Sequence, residues 1–441
     1  LVLFHVLAGN VEWQNWRVTS LIDATLQISS GQALTGVFAL FVVASEWLRK
    51  RSRNSVGTCY LIAAGSVAVV SLGSVTAFGP IAGNQLQTVY LIYLIYAISA
   101  IWFALRYQQQ FFTYVGSALF LFTLASGFAW NTDLSFPWQT ALLVHASICA
   151  VTAIASSRRI ELRPLTGPLN QAALICSVLA LLSMFQTNPW QVTWMQAERV
   201  FWIAGIWFMS LWLNRRKLLF VVVQMAVTGA VILSVKATLQ EYEWYTYVPQ
   251  AFLHPWGLQI QRGVLGILCL IWIVARWVAT KLDLHSTGGF WRMVDTRYSV
   301  DRLLAWVLLG GFVLLSIYGA VSGVTQELAV ADSPGWNIAG FDHREAFAFG
   351  SWIILGLLTL IMLANAWQRR KGIYLCGALV TLSTMVPLLA ARFEVQFATA
   401  TAWRYLAALF LIIASALIWA RRQLATQFNR LGWPPLSVNP H

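Results

Sequence analysis

The chain has 441 residues, of which 59% are hydrophobic and only 10% charged, against roughly 25% charged in soluble domains, so a soluble fold of this size is excluded. Its formal net charge of +13 comes from basic residues scattered in short turns, a pattern of membrane topology and not of a nucleic-acid partner. The apolar residues fall in runs of about 17 to 24, the length a helix needs to cross roughly 30 Å of hydrocarbon. The fold class expected is an all-α integral membrane protein.

From the N-terminus, Leu1 to Ala8 is an apolar octapeptide too short to span and without the basic flank of a signal peptide. It reads as the end of an earlier helix, with 1–31 as a non-cytoplasmic segment. Run length and flanking charge predict spans at 32–48, 59–79, 86–105, 110–129, 138–156, 169–186, 199–214, 217–236, 261–281, 302–322, 346–367, 371–391 and 403–420. These thirteen spans form one transmembrane domain over 32–422, a polytopic bundle of serial αα-hairpins, followed by a cytoplasmic tail at 423–441.

The connecting segments alternate between short basic turns, such as Arg49-Lys50-Arg51, Arg158-Arg159 and Arg369-Arg370-Lys371, and acidic, aromatic loops. Assigned by that parity, Lys and Arg divide 22 to 7 and Asp and Glu 5 to 11. The two sides then carry +17 and −4, the asymmetry that the positive-inside rule requires of a correct threading. The basic side is expected to be cytoplasmic, with the C-terminus on it, in a bacterial-type inner membrane. Basic turns recur at intervals of roughly 51 to 57 residues over much of the chain, as serial duplication of a hairpin or the bare needs of tight inner turns would both produce. The long inner loop, 282–301, has the spacing of a helix lying on the membrane surface.

Many of the 23 Trp, among them Trp47, Trp102, Trp138, Trp194 and Trp367, stand at run ends as interfacial anchors. The five Cys lie in or at the ends of apolar runs with no CxxC spacing, so they read as small core residues and no metal or cofactor is expected. Small residues inside spans, Gly65, Ser66, Ser71, Gly73, Ser74 and Gly310-Gly311, are expected to let helices approach closely. No Asp, Glu, Lys or Arg falls near the middle of a span, which disfavours a proton-driven pump. His145 is the one intramembrane histidine, and without a second axial ligand it reads as a hydrogen-bonded structural residue. Gln224 and Asn365 read as interhelical hydrogen-bond formers.

Chemistry is denser on the outer side. Arg199, Arg262, Arg344, Arg392 and Arg404 sit where spans meet water, and Arg199 and Arg262 are candidates to bind an anionic headgroup through their forked donors. Gly340-Phe341-Asp342-His343-Arg344-Glu345 gathers a base, a cation and two carboxylates before a span. His343, Arg344 and Asp342 are the candidate catalytic group, against the plainer reading of a solvated loop end that caps the next helix. In the 237–260 loop, Trp244 and His254 lie among acids and aromatics, as sugar-binding surfaces arrange them, although a loop resting on headgroups would look the same.

This layout resembles bacterial O-antigen ligases and polymerases. In that family, outer-face arginines and a histidine near the end of a large outer loop act on a lipid-pyrophosphate donor. Arg199, Arg262 and His343 occupy analogous places, with three spans after His343. The loops here are shorter, and the family's local sequence around those residues is absent. The function expected is a scaffold or lipid-interacting membrane component, with membrane lipids as partners. The alternatives are an enzyme of lipid-linked glycan transfer or polymerisation, and a facilitator or flippase for an amphiphile whose polar path runs by Gln224, Thr381, Ser383 and Thr384.

Overall fold

The computed structural model describes residues 28–78, 86–130, 136–184, 193–242, 255–281, 300, 302–311, 343–369, 371–392 and 408. The described residues are helical throughout apart from short turns, with no strand among them. The helices are α1 (Ile28–Lys50), α2 (Asn54–Phe78), α3 (Leu86–Tyr107), α4 (Gln110–Trp130), α5 (Pro137–Ser157), α6 (Arg163–Met184), α7 (Trp194–Leu213), α8 (Lys217–Gln240) and α9 (Pro255–Lys281). A shorter α10 (Arg302–Gly311), then α11 (His343–Arg369) and α12 (Gly372–Arg392), complete the set. Eight helical segments, those of α1 to α6, α8 and α9, are long and apolar enough to cross a membrane. Helices α7, α11 and α12 coincide with the runs expected at 199–214, 346–367 and 371–391. Of the run expected at 302–322 only 302–311 is described, and 403–420 and the 282–301 loop lie outside the described residues but for isolated positions.

The chain divides into two compact units, residues 1–189 with 205–213, and residues 190–204 with 214–441. In the first, α1 packs on α2, α3 on α4 and α5 on α6, so the serial hairpins expected from the sequence are formed. In the second, α11 pairs with α12, and α9 packs against α8 and α11. Its core gathers Leu265, Cys269 and Ile273 of α9, Leu308 of α10, Leu355, Leu358 and Met362 of α11, and Tyr374 of α12.

Of the described glycines expected to mark close approach, Gly311 has a near neighbour, a Cβ on it lying 3.3 Å from Arg262 Nη2. A Cβ on Gly65, Gly73 or Gly310 would meet nothing within 4 Å. On Gly116 it would lie 2.9 Å from Ile101 Cγ1 and 3.2 Å from Ala97 O, and on Gly57 it would lie 2.8 Å from Arg49 Cγ and 3.1 Å from Ser45 O. The glycines that let backbones touch are therefore Gly57 between α1 and α2 and Gly116 between α3 and α4. Ser71 holds the other end of the first hairpin, its Oγ donating to Gly31 O at 2.8 Å and lying 3.2 Å from Thr35 Oγ1.

Helix α6 begins six residues earlier than the sequence predicts, running through Pro164 and Pro168. Pro164 sits in the first turn, where its missing N–H has no intrahelical partner to lose. Pro168 cannot donate to the carbonyl of Pro164 four residues back. That carbonyl is taken by a neighbour: Thr113 Oγ1 of α4 donates to Pro164 O at 3.2 Å, with Thr113 wholly buried. The interhelical bond replaces the one that proline removes, so the Arg-Pro-Leu-Thr-Gly-Pro stretch is helix and not linker.

Elsewhere the polar side chains of the helices turn back on their own backbone. Thr123 donates to Leu119 O, Ser147 to Leu143 O, Thr228 to Gln224 O and Thr359 to Leu355 O, each four residues earlier. Such back-bonds let an apolar helix carry hydroxyls with no donor left over.

Candidate functional site

The feature with most chemistry is an end face of the first unit, built from the turns α1–α2, α3–α4 and α5–α6. Two of these turns share one backbone device. Helix α1 stops at Ser52, whose φ is 62°. Arg53 N–H reaches back to Leu48 O (3.1 Å) and Ser52 N–H to Arg49 O (3.0 Å), closing the last carbonyls in a left-handed C-cap. Helix α3 stops likewise at Gln108, φ 53°, with Gln109 N–H on Ala104 O at 3.2 Å. Both positions favour glycine, and both hold polar residues instead.

Side chains then join the three turns. Arg49 Nη1 donates to Tyr107 Oη at 2.7 Å, Tyr107 Oη donates to Glu46 Oε1 at 3.1 Å, and Arg106 Nη2 reaches Glu46 Oε2 at 3.5 Å. Gln108 Nε2 continues to Glu161 O of the third turn at 3.3 Å. Glu46 is therefore a paired, half-buried carboxylate, and the Arg49 guanidinium, 5.0 Å from the Tyr107 ring centroid, is held in place by the chain itself. Around this knot Lys50, Arg51, Arg53, Arg106, Arg158, Arg159 and Arg163 are exposed, with Glu161 the one exposed carboxylate on these turns. The opposite ends of α1 to α6 carry no charged residue among the described positions.

A second polar group lies inside this unit. His145, 1% exposed, has Nε2 at 2.8 Å from Ser117 O. A carbonyl only accepts, so Nε2 carries a proton and donates it to Ser117 O. Ser117 Oγ is 3.2 Å from the same nitrogen, and Cys149 Sγ lies 3.6 Å from Ser117 Oγ. The group staples α4 to α5 as the hydrogen-bonded histidine expected from the sequence. Separately, Trp207 Nε1 of α7 donates to Ser177 Oγ of α6 at 2.8 Å. Among the described residues no three His, Cys, Asp or Glu side chains are placed to hold a metal ion.

The residues singled out for outer-face chemistry are placed unevenly. Arg199 stands half-buried in the second turn of α7. Arg262, in α9, donates from Nη2 to Gly311 O at 3.3 Å, where it meets the carbonyl end of α10, a favourable seat for a cation. His343 and Arg344 open α11, but their side chains, like Asp342, Trp244 and His254, lie outside the described residues. On the expected polar path, Gln224 is buried and its Oε1 accepts from Val300 N–H at 3.2 Å. Thr381 Oγ1 donates to Ala378 O and lies 2.7 Å from Thr359 Oγ1, while Ser383 and Thr384 donate to carbonyls of their own helix. Asn365 differs from expectation: Nδ2 donates to Ile361 O of its own helix at 3.0 Å instead of to a neighbour.

The basic turns were visible in the sequence, whereas the knot of Glu46, Arg49 and Tyr107 was not. Its one signal in the sequence is a carboxylate, Glu46, three residues before the first basic turn. Comparison with known protein families, with curated proteins and with solved structures gives no match.

Proposed function

We propose that the chain is an integral membrane protein of about thirteen spans in a bacterial-type inner membrane, a scaffold or lipid-interacting component whose basic turns and C-terminus are cytoplasmic. One observation carries the reading. In α1 to α6, seven exposed cations crowd one end and no described charge stands at the other. Between the ends, large apolar side chains face outward, Leu40 at 69%, Val69 at 71% and Ile62 at 67% exposed. Exposed apolar side chains along the length of a helix are unusual on soluble monomers. In a bilayer, the same surface is solvated by acyl chains and the charge division sets the orientation. Exposed Trp47, Trp102 and Trp138 near helix ends suit the headgroup level.

The test is cysteine accessibility in intact cells on a background lacking the five native cysteines. Phe136→Cys should react with a membrane-impermeant maleimide from outside, and Ser52→Cys only after permeabilisation. The reverse pattern overturns the orientation. Release of the protein by alkaline carbonate overturns membrane insertion itself.

A further inference from the structure

We infer that the end face formed by the α1–α2, α3–α4 and α5–α6 turns is a binding site for the phosphate headgroup of an anionic phospholipid. The inference rests on the membrane placement proposed above and names a ligand class for that surface. The turns act as one surface because Arg49 bonds Tyr107, Arg106 bonds Glu46 and Gln108 bonds Glu161 O across them. Glu46 is taken up by Tyr107 and Arg106, so on these turns only the Glu161 carboxylate is left to offset the other six exposed cations. Like charges gathered on one face repel, and an anion supplied from outside relieves that repulsion.

Three features favour a lipid phosphate over other anions. Six of the seven exposed cations are arginine, whose planar fork matches phosphate oxygens two at a time. The turn backbone is fixed by its left-handed caps, and Arg51 is held with its guanidinium 4.0 Å from the Trp47 ring centroid, so little ordering remains for binding. Apolar side chains stand among the charges: Ile160 is 89% exposed, Phe111 66% and Trp47 51%. A soluble anion leaves those side chains in water, whereas a phospholipid covers them with its glycerol and upper acyl carbons while its phosphate meets the arginines.

Native mass spectrometry of the full chain, extracted in mild detergent from vesicles of equal phosphatidylglycerol and phosphatidylcholine, tests this. The wild type should retain phosphatidylglycerol in preference. Each exposed cation near an anionic surface is worth on the order of a five-fold preference, so Arg51→Gln/Arg53→Gln/Arg159→Gln should cut the enrichment at least about five-fold. The same number of charges removed in Arg215→Gln/Arg216→Gln/Lys217→Gln should leave the enrichment in place. Should the first triple variant lose its helix signal, the single variants Arg53→Gln and Arg159→Gln read the same quantity. Undiminished enrichment in the first triple, or equal loss in both, overturns the site. A wild type that does not float with vesicles overturns the membrane reading instead. One that floats without preferring phosphatidylglycerol overturns the headgroup inference alone.

Discussion

Thr113→Val removes one hydroxyl and keeps the shape of the side chain, so it isolates the bond that replaces the one lost at Pro168. Thr113 is wholly buried, and its Oγ1 donates at 3.2 Å to the Pro164 carbonyl. Hydrogen bonds between helices in membranes average about 0.6 kcal/mol with a maximum near 1.7. A buried carbonyl left without a donor costs about 1–3 kcal/mol. The usual i+4 donor to the Pro164 carbonyl is missing at Pro168, so the expected loss is about 1–2 kcal/mol. Pro168→Ala supplies the missing N–H and lets α6 satisfy that carbonyl itself. In the Pro168→Ala background, Thr113→Val should therefore cost roughly 1 kcal/mol less, a coupling measurable by a double-mutant cycle. Reversible unfolding in mixed micelles, followed by helix signal, gives the four free energies. Additivity within about 0.3 kcal/mol would refute the claim that Thr113 stands in for the proline's missing donor.

Three further outcomes follow from the same geometry. Gly116→Ala forces a Cβ against Ile101 and the Ala97 carbonyl and should destabilise by about 1–3 kcal/mol; Gly65→Ala, in open space, should gain up to about 1 kcal/mol from helix propensity, as the same unfolding titration reads out. Ser52→Gly relieves a left-handed residue at φ 62° and should raise the melting midpoint, corresponding to about 1 kcal/mol; an unchanged or lowered midpoint means that the serine contributes something the turn geometry does not reveal. Tyr107→Phe removes the hydroxyl shared by Arg49 and Glu46 and should destabilise by about 1–3 kcal/mol, with Glu46→Gln in the same background costing less than in the wild type; independent effects would mean that the three side chains do not act as one network.

Helix existence was legible because each run combined the length of a bilayer crossing with a charged or aromatic boundary, as α3 and α4 show, expected at 86–105 and 110–129 and found at Leu86–Tyr107 and Gln110–Trp130. The start of α6 was not legible. Two prolines stand within five residues there, and the side chain that makes them tolerable in a helix is Thr113, about fifty positions away. Glycine packing was misjudged for a similar reason: a Gly on a helix marks close approach only where a partner crosses it, and Gly65 faces open space while Gly57 meets Arg49. The basic turns could be counted from the sequence, but their union into one face depends on Tyr107 and Gln108, residues without charge. His145 was recognised as hydrogen-bonded because an apolar run leaves an imidazole few other options; its partner, a helix carbonyl, has no sequence signature.

The first unit keeps its polar chemistry in two separate places. Inside α1 to α6, hydroxyls bond backbone carbonyls, no Asp, Glu, Lys or Arg stands near mid-helix among the described residues, and His145 is hydrogen-bonded to Ser117 O. Moving an ion or proton past these six helices would require groups that bind charge partway along them. An imidazole bonded to a helix carbonyl, beside a serine and a cysteine, acts as a structural staple between α4 and α5. The arginines, by contrast, stand at one end and are mostly exposed, with Arg49 bonded to Tyr107, Arg51 over Trp47 and Arg106 on Glu46. That separation makes the end face the place where α1 to α6 can meet a charged partner, and it is why removing exposed arginines there tests function with little risk to the fold, whereas removing Glu46 or Tyr107 tests the fold first.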